Sequence, residues 1–480
     1  MHFARLTVPP LVMFLTALWK INGPSFWRDE AATLSAVRRP LPQLWHFLAR
    51  TDVVHGAYYL LMLPVTRILG TSELAVRLPS ALAVAAATAG ISAIAARLVS
   101  ERAGIVAGLM FVVFPVASRY GQEARSYSIV LALAVLASYL LCRALTSASA
   151  GKGLWIAYSM ALAGLGWMNL MGMLIIPAHG ITVCWAIRTA ARPKRVAVSW
   201  LTSAVAAIVL VSPLVVLAWP QRHGTERFLA ITSIRAIAGA PGHLAGSWNI
   251  LPLVVLLAVM VFWPKLAYPD LGRLCLPWLI VPPAVLLAAG AVFPVYDLRY
   301  VLFCVPALAL LAGAGLDTLA SKSPVRAIVA GMVLLAALGI PAQLSYRGPD
   351  GHGDNIRLAA QIVASHEHVG DAVLYQPPWW RQISAAYSYG FARLNDVALY
   401  RTPGQAGDFT GIQLPAGQIR KRLLAYQRVW LVEFLNFRPD PALGTAWKAI
   451  SHWHPSTFVL VLYQRGRPGT GDRVSADRRR

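Results

Sequence analysis

The sequence predicts an α-helical polytopic membrane protein of about eleven transmembrane helices that ends in a small α/β domain. Three observations predict this. Hydrophobic residues make up 57% of the 480 and charged residues only 13%, and a mean hydropathy of +0.57 is not that of a soluble chain. Apolar segments long enough to cross or enter a bilayer recur through the first 345 residues. Beyond residue 346 the composition changes to Gly, Asp and short apolar runs.

The apolar segments fall near 6–22, 75–98, 103–118, 127–146, 154–169, 171–188, 196–219, 249–264, 272–293, 298–318 and 324–344. The first carries Pro9 and Pro10 and no clear small-residue cleavage site, so it reads as a retained helix, not a cleaved signal. A further run, Ala57 to Leu69, is thirteen residues long and holds Pro64 and Arg67. That is too short for a span and reads as an interfacial or re-entrant helix. Basic loops decide between the two counts, because they belong on the cytoplasmic side. Arg188 to Arg195 is the strongest, with Arg97 and Arg102, Arg143 and Lys152, Lys265 and Arg273, and Lys322 and Arg326. With 57–69 on the membrane, all five fall on the side of the N-terminus. The stretches 22–74, 119–126, 220–248 and 294–297, and the chain beyond Tyr346, then open on the extracytoplasmic face.

The expected domains are 1–346, a transmembrane unit whose first outer loop is 22–74; 347–464, the α/β domain; and 465–480, a disordered basic tail. In the second, a helical run from Ile356 to His366 precedes strand candidates at 372–375, 429–434 and 458–463.

Cys142, Cys184, Cys275 and Cys304 all lie in apolar segments without disulfide or metal-ligand spacing, which leaves them as packing residues. The formal charge of +23 suits cytoplasmic loops and anionic headgroups. No nucleic-acid motif accompanies it, so nucleic acid is not expected as a partner.

Two polar stretches interrupt the apolar pattern. Trp27-Arg28-Asp29-Glu30 sets two acids just after the first segment, in a chain with only 20 acids against 43 bases. Carboxylates that close to a bilayer are functional candidates by default. The second stretch, Arg119 to Tyr127, is wedged between two apolar segments.

Together with His55-Gly56-Ala57-Tyr58-Tyr59, with Glu73…Arg77-Leu78-Pro79-Ser80 and with Asp297-Leu298-Arg299-Tyr300, these stretches resemble the bacterial relatives of the protein O-mannosyltransferases and of the aminoarabinose transferase of lipid A. Those are GT-C membrane glycosyltransferases that use polyprenyl-phosphate-linked sugars. His55-Gly56 departs from the His-Pro-Pro of many relatives. The resemblance implies an inverting transferase in the cell membrane, with its N-terminus cytoplasmic and its C-terminal domain outside. Its donor would be a polyprenyl-phosphate sugar, mannose favoured. Its acceptor would be a cell-envelope glycan, a glycolipid or a protein.

Such a reaction needs a base for the acceptor's proton and a stabiliser for the departing phosphate. Asp29 stands at the matching family position for the base. Glu30 is the alternative base, or a metal or acceptor contact. Arginine makes bidentate bonds to phosphate, and Arg125 and Arg299 are the candidates. The competing readings are a helix-capping role for Asp29 and headgroup snorkelling for the arginines. Glu123 would orient Arg125 or meet the acceptor, and Gln122 shares its stretch. His55 would hydrogen-bond sugar or phosphate. Tyr127 and Tyr58 fit packing or the aromatic belt as well as a site, and Trp379-Trp380 could stack on a sugar or fill a core. No cofactor is called for. A divalent cation on Asp29, Glu30 and Glu123 is admitted by their oxygen chemistry, although no metal-loop spacing is present. A transporter or flippase of lipid-linked sugars and a non-catalytic scaffold are the rival classes. The first would set its charges within spans, not in loops.

Overall fold

The computed structural model describes residues 2–147, 150–222, 233–262, 268–319, 324–434 and 442–466. Of the expected tail at 465–480, Arg465 ends a strand, while 467–480 and the loop lysines Lys265 and Lys322 lie outside these residues. In chain order the first helices are α1 (His2–Leu18), α2 (Arg28–Val37), α3 (Leu41–Phe47), α4 (Gly56–Leu69), α5 (Glu73–Leu98), α6 (Glu101–Val113), α7 (Pro115–Gly121) and α8 (Tyr127–Thr146). The chain forms two compact units, 1–23 with 49–348 and 24–48 with 349–480. This differs from the sequence expectation, which kept all of 22–74 with the transmembrane part. Residues 24–48 pack with the C-terminal unit instead.

In the first unit every apolar segment predicted above contains a helix among the described residues. Among the described residues six helices are long and apolar enough to cross a membrane, and α6 with α7 makes a seventh. Leu6–Leu18, Leu170–Ala186 and Leu251–Met260 are shorter apolar helices. Multi-pass membrane character thus follows from length and hydropathy. The predicted segment 103–118 is not straight: it bends by 70° between α6 and α7. Pro115 stands at the first turn of α7, where its missing N–H and fixed φ start a helix but cannot continue one. Helix α4 has 14 residues, or roughly 21 Å of rise, short of the hydrocarbon thickness.

The centre of the bundle is the helix Val305–Leu319, whose span window is 100% buried. It is apolar nearly throughout, as a helix surrounded by others must be, with buried Asp317 near its end paired to Arg102. Glycines let its neighbours approach: a Cβ on Gly313 would lie 2.5 Å from Ala107 Cα of α6, and one on Gly315 1.8 Å from the Leu257 carbonyl oxygen. Without a hydrophobic drive between helices in lipid, such close backbone packing supplies much of their cohesion.

The second unit holds a five-stranded sheet in the order β2-β1-β5-β7-β6. Its strands are β1 (Ala372–Gln376), β2 (Asn395–Asp396), β5 (Arg428–Phe434), β6 (Trp447–Trp453) and β7 (Phe458–Arg465), while β3 (Leu399–Arg401) and β4 (Ile412–Gln413) pair separately. β1 runs parallel to β2 and β5, and β7 antiparallel to β5 and β6. Ala372, Leu374, Val429, Leu431 and Val461 build one core with Ile419 and Leu423. Trp430 stacks on Trp453 at 5.4 Å, and Trp380 packs on Phe458 at 5.1 Å. Trp380, one of the two candidate sugar platforms, is therefore a core residue at 1% exposure, whereas Trp379 is exposed.

Glu433 of β5 is buried, with Oε1 lacking a hydrogen-bond partner, and burial raises its carboxyl pKa. A raised carboxylate pKa means that the folded state favours the proton, so the stabilisation present at low pH is lost as pH rises through the folded-state value. Glu433→Gln should therefore melt higher than wild type at about pH 7, by roughly a few degrees, with the gain vanishing towards about pH 4. Thermal melts of the two proteins at both pH values check this. An equal difference at both would remove the titration from the explanation.

Candidate functional site

The acidic pair sits in the second unit, in the first turn of α2. Negative charge there complements the helix dipole. The N-cap, Trp27, offers no side-chain cap. Asp354 fills that role from a distant part of the same unit: its Oδ2 accepts from the Arg28 backbone N–H at 3.0 Å and from Arg28 Nε at 3.1 Å. Thr457 Oγ1 also donates to Asp354. Arg39 donates to the Pro403 carbonyl at 3.1 Å and to that of Asp408 at 2.6 Å. These bonds explain why residues 24–48 belong with the C-terminal chain.

They also separate the two acids. Glu30 is fully buried, with Oε2 3.8 Å from His352 Nδ1, itself a buried side chain. Asp29 is half-buried. Of the pair, only Asp29 is not fully buried. Neither acid is the N-cap, so the capping role weighed for Asp29 passes to Asp354. Sequence reasoning gave no role to His352 or Asp354, because both lie in a Gly-rich stretch far along the chain.

The second polar cluster sits in the first unit, where α5 shapes it. Ser72 caps α5 by accepting from the Ala75 N–H. Buried Arg77, one turn further, donates to the Ile21 carbonyl at 2.6 Å. Ser80 donates to the Glu123 carbonyl at 2.6 Å and fixes the turn before α8. The Gln122 amide is engaged by the backbone: it donates to the carbonyls of Ala17 at 2.8 Å and Trp19 at 2.7 Å, satisfying acceptors left over at the C-terminal end of α1. Glu123, expected to orient Arg125 or meet the acceptor, gives its carboxylate to Arg119 as a buried ion pair.

Arg125 is the side chain this turn delivers to a polar cluster. It is 7% exposed, and its Nη2 lies 2.8 Å from His55 Nε2. A guanidinium can only donate, so His55 Nε2 accepts. His55 Nδ1 then carries the proton and donates to Asp52 Oδ1 at 2.7 Å. Tyr59 donates to Asp52 Oδ2 at 2.6 Å. Its hydroxyl also lies in hydrogen-bonding contact with Arg125. Burial pushes the Tyr59 hydroxyl well above its usual pKa; the Asp52 charge adds to that and Arg125 opposes it. Sequence reasoning missed Asp52 and placed no function on Tyr59. The available signal was their spacing, three before and four after His55.

Arg299 is held differently. Both Asp297 oxygens accept from its Nε, at 3.0 and 2.9 Å, and Asp297 Oδ2 accepts from its Nη2 at 2.5 Å. Its guanidinium lies 5.8 Å from the centre of the Tyr127 ring. Tyr127 also meets Tyr120 edge-on at 5.5 Å, so its ring packs within the first unit.

Among the described residues no group of three or more His, Cys, Asp or Glu side chains could hold a metal ion. The cation weighed on Asp29, Glu30 and Glu123 has no such group, since Glu123 is taken by Arg119 and Glu30 lies against His352.

Residues 56–219 match the family described as dolichyl-phosphate-mannose-protein mannosyltransferase. No curated protein sequence matches. Among solved structures, ArnT from Cupriavidus metallidurans in the apo state is similar with a TM-score of 0.63 at 12% identity, over 96% of this chain and 97% of that one. The same protein bound to undecaprenyl phosphate gives 0.55 at 13% identity, over 96% and 97%. The archaeal oligosaccharyltransferase AglB from Archaeoglobus fulgidus, in complex with an inhibitory peptide and a dolichol-phosphate, gives 0.53 at 10% identity, over 97% of this chain and 74% of that one. With its mannosyltransferase-like segment and these whole-chain likenesses, the protein is a multi-pass membrane protein of the GT-C glycosyltransferase fold.

Proposed function

We propose that the protein moves a sugar, with mannose favoured, from a polyprenyl-phosphate donor to an extracytoplasmic acceptor in cell-envelope glycan, glycolipid or protein. The observation that carries this reading is the buried Arg125 guanidinium, seated on His55 and Tyr59. A preorganised planar cation of this kind suits a phosphate ester, which accepts two parallel N–H bonds. Arg299 serves less directly, since Asp297 already occupies its fork. The family description of residues 56–219 and the undecaprenyl phosphate bound to the similar ArnT support the lipid-phosphate donor class.

In this reading an acceptor hydroxyl attacks the anomeric carbon while the bond from that carbon to the phosphate oxygen breaks. The phosphate leaves with the electron pair, towards Arg125, and Asp29 takes the hydroxyl proton. One base and one leaving phosphate, without a carboxylate nucleophile, give inversion. Glu30, buried against His352, holds the first turn of α2 in place.

Charge in the loops supports an N-terminus in the cytoplasm and the second unit outside. The test is purified protein in liposomes with a panel of polyprenyl-phosphate sugars, mannose and arabinose types included. Release of polyprenyl phosphate from one of them, with inversion in the product, is expected. Turnover of none would reject the transferase reading. In cells, Trp379→Cys but not Arg192→Cys should react with an impermeant thiol reagent in a Cys184→Ser background; the reverse pattern would invert the orientation.

A further inference from the structure

We propose that Asp52 is a positioning residue for the phosphate clamp, holding Arg125 in one orientation through two bridges, the His55 ring and the Tyr59 hydroxyl. This rests on the reading of Arg125 as the group that binds the donor phosphate.

The four side chains admit a single consistent set of protons. Arg125 can only donate and an ionised Asp52 can only accept. His55 and Tyr59 each stand between them with one proton and one acceptor site in use. His55 gives its Nδ1 proton to Asp52 Oδ1 at 2.7 Å and receives from Arg125 at Nε2 at 2.8 Å. Tyr59 gives its proton to Asp52 Oδ2 at 2.6 Å and receives from Arg125. Asp52 therefore decides which ring nitrogen of His55 keeps a lone pair for the guanidinium, and which way the Tyr59 hydroxyl points. In metal sites and triads a carboxylate behind a histidine sets the tautomer in the same way; here the group being oriented is a cation.

Local structure makes the arrangement rigid. Asp52 and His55 lie three residues apart around a short 3-10 turn, Val53–His55, and Tyr59 follows one turn into α4. The Val53 N–H donates to Gln221 Oε1 at 3.0 Å and pins that turn. Tyr59 is fully buried. Asp52 does not neutralise Arg125 directly, as Asp297 does Arg299. The carboxylate orients the guanidinium at one remove, through the groups that stand between them.

The orientation matters before as well as during bond breaking, so losing it should appear in phosphate binding. The full-length protein in nanodiscs, titrated with undecaprenyl phosphate, provides the readout. Asp52→Asn keeps the size but offers one acceptor oxygen where two are needed, and should weaken binding on the order of tenfold. Tyr59→Phe removes one bridge and should give a smaller loss. In an Arg125→Ala background neither substitution should weaken binding further, because each acts through Arg125. Wild-type affinity in both variants, or losses that multiply with that of Arg125→Ala, would overturn the role of Asp52 and leave the clamp standing. Arg125→Ala with undiminished binding would reject the clamp itself, and this role with it. Should Asp52→Asn not fold, Tyr59→Phe alone and combined with Arg125→Ala decides by the same comparison.

Discussion

Asp29→Asn should lower turnover by on the order of 100- to 10,000-fold, the usual loss with a general base, while undecaprenyl phosphate still binds. Asn keeps the shape and the helix start but cannot take a proton. Asp29, not Glu30, is expected to carry the effect because only Asp29 is half-buried; the Glu30 carboxylate is sealed beside His352. Glu30→Gln should accordingly act on the stability of α2 more than on the chemical step. Single-turnover rates beside binding titrations separate these outcomes. Full turnover in Asp29→Asn, or Glu30→Gln losing turnover with its melting unchanged, would move the base away from Asp29.

Arg125→Ala should weaken donor binding and turnover together, by on the order of 2–4 kcal/mol if the ion pair is desolvated. A phosphate is charged before as well as during transfer, so the loss belongs in the ground state too. The geometry sharpens the expectation for Arg125→Lys. An ammonium can donate to His55 or Tyr59 but cannot present a planar fork to phosphate at the same time, so lysine should restore only part of the binding. Arg299→Ala should cost less, since Arg299 is already matched by Asp297. If Asp29→Asn abolished donor binding while Arg125→Ala left it untouched, the assignment of base and clamp would be reversed.

A good deal of this protein was legible in its residues. Apolar segment length and hydropathy place helices at all eleven predicted positions, because a chain in lipid must satisfy its backbone internally and helices do so locally. Apolar runs between turn residues likewise located β1, β5 and β7 within two residues. The edge strand β6 escaped, since its alternating burial pattern and residues such as Lys448, Ser451 and His452 lack a continuous apolar run. The break between α6 and α7 also escaped: the predicted segment 103–118 ran through Pro115 as one piece, and the 70° bend there emerged only in the structure.

The side-chain partnerships were another matter. Sequence order singled out Arg125 and His55 as candidates, yet nothing local said that they touch. It gave Gln122 and Glu123 the same standing as Arg125, although folding spends one on carbonyls at the end of α1 and the other on Arg119. It set Asp29 and Glu30 in a loop of the transmembrane part, whereas Arg28 and Arg39 tie that stretch to Asp354, Pro403 and Asp408, more than 300 residues away. The sequence by itself determined the helices, the small sheet and the residue types able to meet a phosphate, because those follow from local pattern and burial. Only the tertiary structure decided which of the two acids is fully buried and which arginine meets His55, because each depends on groups that become neighbours on folding.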